Sequence, residues 1–213
     1  MLLEAERNAV VEFGNKMVAS RLTTGTGGNL SLLNREEGLF AISPSGIEYA
    51  DLTPADVVVM NMDGQVADGQ RKPSSEQNFH LALYRKRADI CAVVHTHSVY
   101  ATTMACLHWE IPAVHYLVGF SGKKVPLAPY ATFGTGELAR NVTASIGDYN
   151  AVLLANHGLV AVGNNMPTAF AAAEEIELVA QIYYQTRCAG APKILSDEEM
   201  DPVLEKFRTY GQK

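Results

Sequence analysis

Apolar residues at Leu2, Leu3, Ala9, Val10, Phe13, Met17 and Val18 recur at helical spacing and predict an amphipathic helix over 2–20. The polar, glycine-bearing stretch at 23–29 breaks it. Short apolar runs at 30–33, 39–42 and 57–62 read as strands. The last of these meets Asp63-Gly64, a hairpin turn signal, because glycine tolerates the positive φ such turns demand. Ser74 with Gln77 three residues later has the pattern of a capping box and predicts a helix to about Arg87. The apolar run at 90–94 reads as a buried strand leading into His95-Thr96-His97, with a helix over 98–107 after it. Residues 113–118 are a further strand candidate. A helix near 135–146 precedes a strand at 151–155, which runs into Asn156-His157-Gly158. The longest helix starts near Pro167, whose fixed φ suits a first turn, and ends before Gly190. Ser196 and Glu199 form a second capping-box pattern for a final helix to about Tyr210.

Strands and helices mix without alternating one for one. That pattern predicts an α/β chain with a mixed, mostly antiparallel sheet carrying helices on its faces, not a doubly wound parallel sheet. The Gly-rich loop follows a helix and not a strand, so it lacks the context of a dinucleotide fingerprint. No repeat, low-complexity segment or linker divides the chain, and residues 1–213 read as a single domain.

Composition narrows the function. The chain is 47% hydrophobic and 19% charged, enough for a sizeable core and too apolar for disorder. A net charge of −6 disfavours general nucleic-acid binding, which needs clustered lysine and arginine. No stretch approaches a membrane span, and Glu4 and Glu6 near the start argue against a signal peptide. Three scattered cysteines (Cys91, Cys106 and Cys188) read as reduced thiols of a cytoplasmic protein.

His95 and His97 carry the strongest chemical signal. Residues two apart on a strand project from one face, so two imidazoles can converge on one ion. His157, also directly after an apolar run, would complete a three-histidine metal site with an open position. A His-x-His pair also occurs as ordinary surface or core histidines. His80 falls on a helix and suits packing, and His108 and His115 are unassigned. Glu76, in the first turn after Ser74, reads either as a carboxylate favoured by the helix dipole or as a metal-site acid. Turns at 26–29, 43–46 and 73–75 offer N–H groups and hydroxyls to an anion, though their residues are also those of ordinary turns.

Together these segments resemble the class II aldolase family, which spans sugar-phosphate aldolases and epimerases. The resemblance rests on GTGGNLS at 25–31, SPSGIEY at 43–49, KPSSE at 72–76, AVVHTHSVYAT at 92–102 and NHGLVAVG at 156–163. Segments 111–138 and 195–211 resemble the branch acting on L-fuculose 1-phosphate. The resemblance implies an α/β/α sandwich around a mostly antiparallel sheet. It implies a zinc-dependent aldolase that reversibly cleaves L-fuculose 1-phosphate to dihydroxyacetone phosphate and L-lactaldehyde through an enediolate. One Zn2+ per subunit would be held by His95, His97, His157 and, at rest, Glu76, which also moves the proton. Gly28, Asn29, Ser45, Gly46, Ser74 and Ser75 would hold the substrate phosphate. Tyr116 would reach a neighbouring subunit's site in a homotetramer as proton donor, and Tyr210 would close over the site. The implied alternatives are a sugar-phosphate 4-epimerase or a related aldolase or decarboxylase, which keep the same histidines. The non-catalytic head domain of adducin shares this fold, but here all three histidines and Glu76 are intact.

Overall fold

The computed structural model describes residues 1–209, so Tyr210 lies outside the described residues. In chain order the strands are β1 (Asn29–Asn34), β2 (Leu39–Ile42), β3 (Val58–Asn61), β4 (Val66–Asp68), β5 (Ala92–Thr96), β6 (Leu127–Ala128), β7 (Ala151–Leu154) and β8 (Gly158–Gly163). They form one sheet in the order β4-β3-β2-β1-β5-β8-β7-β6. Every neighbouring pair is antiparallel except β6 and β7. The expected α/β/α sandwich with a mostly antiparallel sheet is therefore the fold.

The helices are α1 (Glu4–Ala19), α2 (Gln77–Lys86), α3 (Val99–Cys106), α4 (Gly136–Ile146), α5 (Met166–Ala189) and α6 (Asp197–Thr209). Helices α1, α3 and α5 cover one face of the sheet, with Met200 of α6 joining that layer; α2 and α4 cover the other. Strand residues divide between the layers by alternation. Ala92 and Val94 of β5 face the first layer and Val93 the second; Leu159 and Ala161 of β8 face the first, Val160 and Val162 the second. Both faces are apolar because both are covered, so β5 and β8 read as continuous hydrophobic runs. Each buried valine or leucine among them stabilises the fold by about 1.5–3 kcal/mol.

Two expectations are corrected. The run at 113–118 is not a strand: Tyr116–Phe120 forms a 3-10 turn, opened by His115, whose Nδ1 accepts from Leu117 N–H at 3.4 Å. The outer edge of β7 is already taken by β6, so this run packs Val118, Leu117 and Phe120 onto the α5 layer instead. The Ser74–Gln77 capping box does not form. Helix α2 begins at Gln77 with Glu76 as its N-cap, and Ser74 Oγ accepts from Glu76 N–H at 3.2 Å. The Ser196–Glu199 box does form, with Glu199 N–H donating to Ser196 Oγ (3.2 Å) and Ser196 N–H to the Glu199 carboxylate (2.7 Å).

The loop before β1 fixes the position of the site. Gly28 has φ +69°, and a Cβ there would stand 2.5 Å from the carbonyl oxygen of His95. Only glycine allows the loop to lie this close to the end of β5. Gly28→Ala is expected to destabilise the protein by about 2–4 kcal/mol, from left-handed strain plus overpacking, read as a lowered urea midpoint at unchanged slope. An unchanged midpoint would contradict the close approach.

Candidate active site

His95 is the penultimate residue of β5, paired with Asn29 of β1 and Val160 of β8. Its Nδ1 lies 2.9 Å from the carbonyl oxygen of Leu159. A carbonyl only accepts, so Nδ1 carries a proton, and in the neutral ring Nε2 presents a lone pair. That lone pair faces Nε2 of His97 at 3.0 Å and Oε2 of Glu76 at 3.2 Å. Glu76 Oε1 lies 3.5 Å from His157 Nε2 and is buried without a hydrogen-bond partner. One nitrogen from each of the three imidazoles falls within 4.8 Å of the others. Neutral imidazoles and a carboxylate can each offer a lone pair to a cation at such a point. The donor set therefore fits a divalent metal ion.

Local structure explains the convergence. His97 follows the last residue of β5, and His157 sits at the tip of the β7–β8 hairpin. Asn156 turns that hairpin with φ 55°, and His157 N–H donates to Leu154 O at 3.0 Å. Asn156 N–H donates to Ala105 O at 3.2 Å, and His108 Nε2 lies 2.7 Å from its Oδ1, which gives the unassigned His108 a buttressing place. A Cβ at Gly158 would collide with the Thr96 carbonyl, so glycine lets the two histidine-bearing ends meet.

Electrostatics match. Burial first, then the other imidazoles, pushes His97 down to about 4; burial and His95 do the same to His157. Both are neutral at pH 7, the state in which imidazole binds metal. Burial raises the Glu76 carboxyl, but facing His95 and then His157, together with the hydrogen bond from the Asn29 amide, holds Glu76 well below the usual carboxylate range when a proton or a metal ion gives that cluster positive charge.

A pocket of about 500 Å³ opens beside this cluster and is lined by Gly28, Asn29, Ser45, Gly46, Ser74, Ser75, Glu76, His97 and His157. The loops whose meeting the sequence could not establish do converge. Ser74 N–H donates to Ser43 O at 3.0 Å, Ser75 N–H donates to Ser45 Oγ at 3.0 Å, and Ser45 Oγ donates to Pro73 O at 3.1 Å. To reach an anion, the Ser45 hydroxyl proton must swing away from Pro73 O. Tyr130 and Phe133, 59% and 65% exposed, also line this pocket, and no sequence signal marked them. Gly134 fixes their loop: its carbonyl accepts from Asn78 Nδ2 at 3.0 Å.

Tyr116 is not among these residues. It is half-exposed and lines a separate groove with Phe120, Val203 and Phe207. Within one chain it is apart from the histidine pocket. Among the described residues no helix is long and apolar enough to cross a membrane.

Comparison with known proteins agrees with this geometry. Residues 8–184 match the family described as the class II aldolase and adducin N-terminal domain. A 5-deoxy-D-ribulose 1-phosphate aldolase from Bacillus thuringiensis serovar kurstaki is 58% identical over 212 residues, covering 100% of both chains. The L-fuculose phosphate aldolase of Escherichia coli K12 is 42% identical over 198 residues, covering 92% of this chain and 91% of the relative. A solved structure of an L-fuculose 1-phosphate aldolase superposes with a TM-score of 0.96 at 45% identity, covering 98% of each chain. The chain belongs to the class II aldolase and adducin N-terminal domain family, and it is a lyase of the class II aldolase kind.

Proposed function

We propose that this aldolase cleaves deoxyketose 1-phosphates between C3 and C4, releasing dihydroxyacetone phosphate and a short aldehyde. The first substrate proposed is 5-deoxyribulose 1-phosphate, which gives acetaldehyde. The end-to-end 58% identity with an aldolase of that name carries this reading. L-Fuculose 1-phosphate, which gives L-lactaldehyde, is the second reading, supported by the close match of fold to an aldolase of that sugar. The sequence resemblance alone favoured fuculose; the more similar deoxyribulose relative reverses the order.

His95, His97 and His157 are the proposed ligands of one Zn2+ per subunit, with Glu76 as fourth donor at rest. When bound, the ion supplies Lewis acidity that stabilises negative charge developing on the substrate's carbonyl and hydroxyl oxygens. Ser45, Gly46, Ser74, Ser75, Gly28 and Asn29 bind the phosphate through hydroxyl, amide and backbone N–H groups of the converged loops. Glu76 moves the proton at the hydroxymethyl carbon of dihydroxyacetone phosphate, removing it in condensation and returning it after cleavage. Tyr116 serves the site of a neighbouring subunit in a homotetramer, taking the C4 hydroxyl proton in cleavage and donating it in condensation. Its place on an exposed groove outside its own pocket supports a role across an interface. Tyr210 closes over that site in the same proposal.

Three experiments test the reading. Purified protein is expected to release dihydroxyacetone phosphate from 5-deoxyribulose 1-phosphate faster than from L-fuculose 1-phosphate, and EDTA should abolish both. Conversion of L-ribulose 5-phosphate alone would move the assignment to an epimerase. His95→Ala is expected to weaken metal binding by more than about a hundredfold, beyond what loss of a ligand's supporting hydrogen bond costs, and to remove activity with it. A full metal content in that variant would exclude His95 as a ligand. Tyr116→Phe is expected to slow cleavage by about 10²–10⁴-fold while sparing proton exchange of dihydroxyacetone phosphate with solvent. Equal loss of both steps would remove Tyr116 from the donor role.

A further inference from the structure

A line of buried polar side chains leads from Glu76 into the α2 layer. Asn29 Nδ2 donates to Glu76 Oε2 at 2.9 Å, and Asn29 Oδ1 lies 2.5 Å from His80 Nε2. His80 Nδ1 lies 2.6 Å from Ser31 Oγ, which lies 2.6 Å from Tyr84 OH. All four side chains are buried, His80 and Ser31 completely. The geometry follows from two periodicities. Asn29 and Ser31 are two apart on β1 and share a face; His80 and Tyr84 are four apart on α2 and share another.

Donors and acceptors fit along this line in one way. A carboxylate only accepts, so the Asn29 atom facing Glu76 is the NH2 and its oxygen faces His80. His80 Nε2 must then carry hydrogen. Burial, followed by the neighbouring His95, pushes His80 down to about 3, so the ring holds a single proton. Its Nδ1 therefore accepts from the Ser31 hydroxyl, whose oxygen accepts from the phenol of Tyr84. Every bond is satisfied, and reversing any one would set two acceptors or two donors face to face.

We propose that His80 is a positioning residue for the aldol reaction. It fixes the orientation of the Asn29 amide, which holds Glu76 by Oε2, itself 3.2 Å from His95 Nε2, and leaves Oε1, 3.5 Å from His157 Nε2, without a hydrogen bond. One carboxylate oxygen is pinned and the other is left free to carry the proton, which rests on Glu76 being the proton-transfer group. Without the His80 N–H, the Asn29 amide can turn its oxygen toward Glu76 and push the carboxylate from its place.

The first test is 15N NMR of histidine-labelled, zinc-loaded full-length protein, with the His80 signals identified by their loss in His80→Phe. The expected pattern is a neutral ring with Nε2 protonated and Nδ1 bare. An Nδ1-protonated ring would overturn the proposal. The second test is exchange of the hydroxymethyl proton of dihydroxyacetone phosphate with deuterium in the absence of aldehyde. His80→Phe is expected to slow exchange about tenfold or more, the scale of a lost hydrogen bond to a charged group, at unchanged zinc content. His80→Gln, whose amide nitrogen replaces Nε2 as donor, should recover most of the rate. Wild-type exchange in His80→Phe, or a loss matched by lost zinc, would overturn the positioning role. If His80→Phe does not fold, Ser31→Ala is expected to lower exchange more mildly and to mix the two ring tautomers; an unchanged rate and tautomer would overturn it. A wild-type protein that exchanges no proton would defeat the proposed reaction instead, while the tautomer still decides the hydrogen-bonded line.

Discussion

The pairing of β5 with β8 places Leu159 O 2.9 Å from His95 Nδ1, and the rest of the site follows from that contact. With Nδ1 donating to a backbone carbonyl, the neutral ring presents an unprotonated Nε2 to the centre. His97 from the end of the same strand, His157 from the β7–β8 hairpin and Glu76 from the start of α2 are brought against that nitrogen, so four groups able to offer a lone pair converge. In a folded interior such an arrangement is costly unless positive charge occupies the centre. The hydrogen bond therefore determines a ring tautomer, and through it the kind of ligand the pocket can take.

Maintaining the convergence requires unusually close backbone contacts. The loop before β1 lies against the His95 carbonyl because residue 28 is glycine at positive φ, and the β7–β8 hairpin reaches β5 because residue 158 has no side chain. Asn156 turns the hairpin in a left-handed conformation and is held by Ala105 and His108. These positions are surrounded by two apolar layers that cover both faces of the sheet, so the strand ends carrying the histidines have little freedom to separate. Rigid placement of the three histidines leaves the loops at the pocket mouth as the variable part.

The two candidate sugars share their phosphate and carbonyl ends and differ only in the aldehyde that departs. In the proposed reaction the histidine cluster and the stitched serine loops would meet the shared end and would not separate them. Discrimination falls to the part of the pocket away from the phosphate, where a single extra hydroxymethine group must be accepted or refused. An apolar wall separates such near neighbours only modestly, whereas a polar group left without its partner separates them strongly.

Much of this was written in local sequence. The apolar run at 90–94 predicted the strand that ends at the histidines, and Pro167 and Gly190 marked the bounds of the long helix α5. Spacing in a strand made His95 and His97 candidates, because side-chain alternation is a local property of the backbone. Contacts distant in sequence were not legible in that way. The capping pattern at Ser74 and Gln77 was overridden because the helix starts only at Gln77, and the Ser74 hydroxyl takes the Glu76 N–H instead. The run at 113–118 lost its place in the sheet because another strand already holds that edge. His80 looked like a packing residue because the partners that make it polar, Asn29 and Ser31, lie about fifty positions away. The sequence by itself determined which side chains could bind and where each element's faces lay. Only the tertiary structure decided which ring nitrogen keeps its proton and which loops meet, because both depend on long-range pairing that no local pattern encodes.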